Sequence, residues 1–290
     1  MLLSIKNLSK HFQVSQGAFQ GSRKIVRAVD ELSLDIEKGD SLSLVGESGS
    51  GKTTLARMIM RLLEPTSGEI IFNGEDVTRL KQNKLDHYRR NIQMVFQDPY
   101  SSLDPRFTIR RSIKEGMTLA VGKYASEQAK EIRAQEMINA VRLEQNMMLR
   151  FPHEFSGGER QRIAIARSLA LNPKMLVLDE AVSSLDVIIQ QDILELLKEL
   201  QQQFELTYLF ISHNLRVVKQ ISNKIAVMYK GRIIELAETQ ELIDNPLHPY
   251  TKELLQAALD YKSSGRAGDF ELSPRAGLVE KNKGHFVIHD

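Results

Sequence analysis

Three rhythms of apolar residues run along the chain. Leu32, Leu34 and Ile36 alternate with polar neighbours, the period of a half-buried strand. "LSLV" (42–45), the start of "MLVLDE" (175–180) and "TYLFISH" (207–213) are short, mainly apolar bursts, as buried strands require. The third rhythm is helical. Leu55, Met58, Ile59, Leu62 and Leu63 share one face before Pro65, and Ile193, Leu196, Leu197, Leu200 and Phe204 share another. Burst, helix, burst over 175–213 predicts a parallel βαβ unit.

Shorter signals fill the gaps. "LLSIKNLSKHF" predicts a strand, and "QVSQGAFQGSRK" a polar loop. "SGEIIFNGEDV" predicts a strand with a turn at Asn73-Gly74, and "KIAVMYKGRIIELA" a hairpin turning at Lys230-Gly231. Residues 111–150 are rich in Glu, Lys, Arg, Gln and Ala and predict helix. From Tyr261 onward the chain is polar, and a mobile tail is expected over 261–290.

Composition narrows the classes. At 290 residues, 42% hydrophobic and 26% charged, the chain matches an ordinary soluble protein. A net charge of +2 gives no global basic field, so no nucleic acid partner is expected. No cysteine is present, which excludes disulfides, thiolate metal sites and cysteine nucleophiles. No apolar run approaches bilayer length, and "MLLSIKNLSK" lacks the order of a signal peptide. A cytoplasmic protein is expected, with any membrane spans supplied by another subunit.

The candidate chemistry begins at "GESGSGKTT", comprising Gly46, Glu47, Ser48, Gly49, Ser50, Gly51, Lys52, Thr53 and Thr54. It fits G-x-x-x-x-G-K-[ST] between a predicted strand and a predicted helix. Glycines let successive N–H groups face phosphates, Lys52 can reach the β- and γ-phosphates, and the Thr53 hydroxyl suits Mg²⁺. A chance glycine-rich turn would not need that strand–helix context. Asp179 and Glu180 follow "MLVL" at the strand end where α/β sheets bind ligands. Asp179 could hold a metal through water, and Glu180 could orient or deprotonate an attacking water. A second Gly-rich turn, "FSGGERQR", opens another predicted helix with Ser156, Gly157 and Gly158. Read alone, it is a helix cap with close packing.

Together these pieces resemble the nucleotide-binding subunit of an ABC transporter. "GESGSGKTT" resembles Walker A, "MLVLDE" Walker B with its glutamate, and "FSGGERQR" the signature usually written LSGGQ. "SSLD", ending at Asp186, resembles the D-loop. Gln97 in "VFQDP" resembles the Q-loop glutamine, and His213 in "FISHN" the switch histidine. The six motifs cover about residues 4–250 in the family order. The resemblance implies an α/β fold: a P-loop NTPase (RecA-like) core, an antiparallel β subdomain and an inserted helical subdomain about 98–170, all within 1–260. It implies ATP and Mg²⁺ as cofactors. It also implies a twofold pair in which each ATP meets Walker A of one subunit and Ser156, Gly157, Gly158 and Glu159 of the other. Gln97 would touch Mg²⁺ or the water, His213 the γ-phosphate, and Phe12 the adenine; read from residues alone, Phe12 is equally a core phenylalanine.

The loop "QGAFQGSRKIVRAVD", "VFQDPYSSLDPR" and "NPLHPYTKELLQAAL" resemble the oligopeptide/dipeptide/nickel branch of importers. That branch implies a motor working with two membrane permease subunits, a second ATPase subunit and a solute-binding protein, at the cytoplasmic face of the membrane. An export or antimicrobial-peptide resistance system using the same motor is the alternative, followed by a soluble ABC ATPase. The chain departs from the family pattern at Glu159 (usually Gln), Ala181 (commonly Pro) and Asn214 (usually acidic), and it lacks the cysteine cluster many branch members carry. None of these removes a phosphate or metal ligand.

Overall fold

The computed structural model describes all residues except 16–22, 119–123, 125, 260–269, 271, 274–275 and 290. The chain divides into two compact units, Met1–Leu80 with Phe210–Asp290, and Lys81–Leu209.

In the first unit, β1 (Leu3–Ser15) and β2 (Arg23–Ile36) pair antiparallel, with Leu3 opposite Ile36 and Ile5 opposite Leu34. Leu32, Leu34 and Ile36 are buried while Ser33 and Asp35 are exposed, the alternation expected of a strand covered on one face. The long polar loop predicted from Gln13 is shortened from both sides by these strands, and its centre lies outside the described residues. The strand β3 (Ser41–Val45) is buried at every position. It feeds α1 (Lys52–Ile59), with Leu55, Met58 and Ile59 inward. This helix stops earlier than its spacing predicts. Arg61 takes a left-handed φ of 53°, and Leu62 beyond it is 53% exposed. The strand β4 (Ser67–Phe72) pairs antiparallel with β1 and, across the Asn73-Gly74 turn, with β5 (Glu75–Asp76).

The second unit starts with α2 (Gln82–Asn91) and β6 (Ile92–Val95). Next come α3 (Pro99–Ser102), α4 (Ile109–Thr118), α5 (Glu127–Ala140), two 3-10 turns and α6 (Gly157–Leu169). These occupy the span in which a helical insert was expected, and the same unit includes β7 (Met175–Asp179) and α7 (Val187–Phe204). The strands β6 and β7 run parallel, with Val95 opposite Leu178. On α7 the buried stripe is Ile193, Leu194, Leu196, Leu197 and Leu200. The boundary between the units falls inside the fully buried strand β8 (Thr207–Ile211).

The chain then returns to the first unit. There α8 (Leu215–Ile221) precedes β9 (Lys224–Tyr229), which runs parallel to β3 with Val45 opposite Val227. The turn at Lys230-Gly231 leads to β10 (Arg232–Glu238), antiparallel to β9. After α9 (Thr239–Asp244) and α10 (Pro249–Leu259) come β11 (Gly277–Asn282) and β12 (His285–His289). These last two form a hairpin, and β12 pairs with β10 through Glu235–Val287 and Leu236–Phe286. The polar composition that predicts a mobile tail is thus only half the story. In the hairpin, Glu280, Lys281, Asn282 and Lys283 face solvent, while His285 is fully buried and Val287 is 8% exposed. The strand carries Phe286, Val287 and Ile288 in a row, an apolar run too short to show a period within a polar stretch.

Candidate nucleotide site

The phosphate-loop candidate connects β3 to α1. Its glycines are required by their surroundings. A Cβ on Gly46 would lie 2.2 Å from the Met228 carbonyl oxygen, and one on Gly51 2.2 Å from that of Ala28. Gly49 has φ +86°, a conformation that favours glycine, with nothing within 4 Å of where a Cβ would lie. Lys52 is 6% exposed and folds back over its own loop. Its ammonium donates to the carbonyls of Gly46 (2.7 Å) and Glu47 (2.8 Å) and to Ser50 Oγ (3.3 Å). Glu47, Ser48, Gly49 and Thr53 are exposed at the mouth, and Thr54 is half-buried. One contact was absent from the sequence reading. The Glu47 N–H donates to the Tyr250 hydroxyl at 3.0 Å. In sequence "NPLHPYT" marks the importer branch, and the one hint of a further role is an aromatic after two prolines in an order no local turn demands.

Phe12 and His213 belong to the same unit. Phe12 is 37% exposed on β1, with the Lys10 ammonium 5.4 Å from its ring centre, so it is no core residue and offers a stacking face. His213 is exposed just past β8. Behind it, Asn214 caps α8, its Oδ1 accepting the Arg216 N–H at 3.1 Å. Asparagine caps a helix as well as aspartate does, so the replaced acidic residue costs this turn little.

In the second unit, the parallel pairing of β6 and β7 places Gln97, two residues past β6, and Asp179, the last residue of β7, at the same end of two adjacent strands. Asp179 is 7% exposed, whereas Gln97 is exposed. Glu180 has φ +50°, a left-handed conformation uncommon outside glycine. A tight turn holds it there, its carbonyl accepting the Ser183 N–H (3.1 Å) and hydroxyl (2.9 Å). Such a backbone costs energy in a non-glycine residue, and the turn at the strand end maintains it. Asp186 caps α7, its Oδ1 accepting the Ile189 N–H at 3.0 Å.

The signature turn is a capping box. Ser156 Oγ accepts the Glu159 N–H at 3.3 Å, and Glu159 Oε2 accepts the Ser156 N–H (2.8 Å) and hydroxyl (2.7 Å). Those bonds, with Arg150 and Arg162 near, hold the Glu159 carboxyl below its usual range. The two glycines differ. A Cβ on Gly158 would come within 2.6 Å of Ile189 Cγ2, whereas one on Gly157 would meet only Leu185 Cδ2, at 3.5 Å. Gly158 is explained by packing against α7. Gly157 is left with room that packing does not use.

A glycine-cradled, lysine-bearing loop between a buried parallel strand and a helix defines the chain as a P-loop nucleotide-binding protein. The chain belongs to the ABC transporter family, which it matches over residues 29–183, and residues 234–282 match the oligopeptide/dipeptide transporter C-terminal region. It is 51% identical over 88% of its length to the oligopeptide transport ATP-binding protein OppF of Bacillus subtilis, covering 82% of that protein. It is 48% identical to AppF of the same organism, over 88% of this chain and 78% of the relative. The glutathione import ATP-binding protein GsiA of Pectobacterium atrosepticum is 44% identical over 99% of the chain, which spans 48% of that longer protein. A bacterial ABC transporter cassette solved as a dimer superposes with TM-score 0.73 at 28% identity, over 82% of this chain and 99% of that one. A dimeric post-hydrolysis cassette bound to ADP and Pi gives 0.72 over the same shares, also at 28% identity. The chain is therefore an ATPase, the ATP-driven motor subunit of an ABC import system. Among the described residues no helix is long and apolar enough to cross a membrane.

Proposed function

We propose that this ATPase drives import of peptides or a related small solute. The observation that carries the reading is the C-terminal region: the match over residues 234–282 coincides with a built structure, in which β10 binds the β11–β12 hairpin and α10 presents Tyr250 to the phosphate loop. The peptide and glutathione transport named for the relatives supports the same substrate class. The chain works at the cytoplasmic face with two permeases, a solute-binding protein and a second ATPase, identical or homologous.

The residue roles follow the family motifs. Lys52 and the N–H groups of residues 46–54 bind the phosphates, and Phe12 stacks on adenine. Glu180 accepts a proton from the attacking water, and His213 contacts the γ-phosphate. Ser156, Gly157, Gly158 and Glu159 of the signature, with Asp186 of the D-loop, serve the ATP of the partner copy. The room left at Gly157 supports that reading. Mg²⁺ fits the available donors. By the family motifs, Thr53, Gln97 and Asp179 would each offer the ion an oxygen, the hard donor it prefers, and Asp179 is the one carboxylate among them. Magnesium characteristically binds through one or two carboxylates and completes its shell with water and substrate phosphate oxygens. When bound, it neutralises charge on the phosphates.

Proteoliposomes holding the chain with its permeases and binding protein test the proposal. ATP-dependent uptake of labelled short peptides is expected, with hydrolysis stimulated by the loaded binding protein. Efflux instead of uptake, or indifference to peptides and glutathione alike, would overturn it.

A further inference from the structure

We infer that Tyr250 is a positioning residue of the phosphate-binding loop, and that the C-terminal hairpin holds it in place through Glu235 and His285. The inference rests on the chain being an ATPase and adds a residue outside the family's nucleotide motifs.

Glu47 lies on the exposed part of the loop, yet its N–H is held at 3.0 Å by a hydroxyl on a fully buried ring. That acceptor is neutral. Burial pushes the Tyr250 hydroxyl up to about 12, so it brings no negative charge towards a polyphosphate. The ring is fixed from the side by Tyr229 on β9, with centroids 4.5 Å apart, and by Phe270 at 6.1 Å. Because β9 runs alongside β3, the ring is anchored on the strand next to the one that launches the loop.

A second set of contacts fixes the backbone before Tyr250. The Tyr250 N–H donates to His248 Nδ1 at 3.0 Å, and burial holds that imidazole below its ordinary value, in the neutral form that can accept. The N–H groups of Leu247 and His248 donate to the two oxygens of Glu235, at 2.7 and 3.0 Å. Glu235 is wholly buried, where an unpaired carboxylate would be very costly. Its other partner is His285 Nε2 at 2.8 Å, also wholly buried. Hence β12, β10, the "NPLHPY" loop and the phosphate loop form one connected series. The loop amide at its end is oriented before nucleotide arrives, so binding has less backbone to order.

Tyr250→Phe keeps the ring and deletes the acceptor. Titration of a fluorescent ATP analogue into the purified full chain should show roughly 3–10-fold weaker binding, the effect of losing one neutral hydrogen bond. The KM for ATP should rise alike, while kcat at saturating ATP moves far less. His285→Ala should weaken binding in the same direction, and the double variant should bind no worse than Tyr250→Phe. A Tyr250→Phe protein that binds like the wild type, or that loses kcat at unchanged KM, would overturn the inference. Should that variant fail to fold, hydrogen exchange at the Glu47 amide of the nucleotide-free wild type decides: protection supports the inference, and exchange at the free-peptide rate defeats it. A wild type that binds no ATP would instead remove the ATPase assignment itself.

Discussion

Gly158→Ala separates packing from chemistry at the signature turn. The added methyl would sit 2.6 Å from Ile189 Cγ2. That atom is a branch on Cβ, not the free end of a long side chain, so it moves only if χ1 leaves its well or the helices shift. Overpacking of this kind costs about 1–3 kcal/mol. Replacing glycine in a helix returns at most ~1 kcal/mol, and less in the first turn. A net loss of about 1–2 kcal/mol lowers Tm by roughly 2–8 °C for a protein of this size. Thermal melts of the nucleotide-free protein check this. Ile189→Ala removes the opposing methyl and should couple favourably with Gly158→Ala by roughly 1 kcal/mol in a double-mutant cycle. Ile189→Val keeps Cγ2 and should not. Gly157→Ala, whose methyl would meet Leu185 Cδ2 at 3.5 Å, should melt like the wild type while losing ATPase activity. If Gly158→Ala melts with the wild type and shows no coupling to position 189, the packing account is wrong. If Gly157→Ala keeps full activity, the turn is a cap and no more.

Further expectations concern catalysis and the hairpin. Glu180→Gln keeps shape but cannot accept a proton, so turnover should fall roughly 10²–10⁴-fold while ATP still promotes pairing, seen by size exclusion; near-normal turnover would remove Glu180 from the mechanism. Gly157→Asp sets a carboxylate against a γ-phosphate, a repulsion of roughly 4 kcal/mol at about 4 Å and an effective dielectric of about 20. It should spare ATP binding by the isolated chain, whereas Lys52→Ala should weaken it. If copies pair, mixing those two variants should restore some activity, because one composite site stays intact. Ending the chain after Leu259 deletes His285 and leaves the buried Glu235 without its imidazole. A loss of about 1–3 kcal/mol is expected, and an unchanged melt would show that the hairpin does not support the unit.

Much of this was legible in the chain because the strongest signals are periodic. The alternation at Leu32, Leu34 and Ile36, the burst at 175–178 and the stripe on α7 each report a face that must be buried, and the structure buries them. The phosphate loop was legible for another reason: its spacing only makes sense between a strand and a helix. What stayed hidden depends on distant residues. Nothing near Gly158 in sequence announces Ile189, and nothing near Glu47 announces Tyr250. Phe12 was undecided because both a core ring and a ligand-facing ring suit a strand; only its 37% exposure excludes the core. The hairpin is hard to read because the polar composition of 261–290 as a whole outweighs two short apolar runs, Leu278-Val279 and Phe286–Ile288, on either side of the Lys283-Gly284 turn.

The pairing of β3 with β9 also governs the order in which the molecule can be made. The Ser41 N–H at the head of the phosphate-loop strand bonds Asn223 Oδ1, 182 residues later, and Tyr250 lies 203 residues from the amide it holds. A growing chain therefore exposes the whole Walker A segment long before its neighbouring strand leaves the ribosome. Contacts this distant in sequence form late and slowly. Until they form, the apolar strand at 41–45 has an open edge, the kind of surface that recruits chaperones or pairs with the wrong chain. Nucleotide competence should thus appear abruptly near the end of synthesis, and truncated chains stopping before Lys224 should hold no ATP despite carrying an intact phosphate-binding sequence.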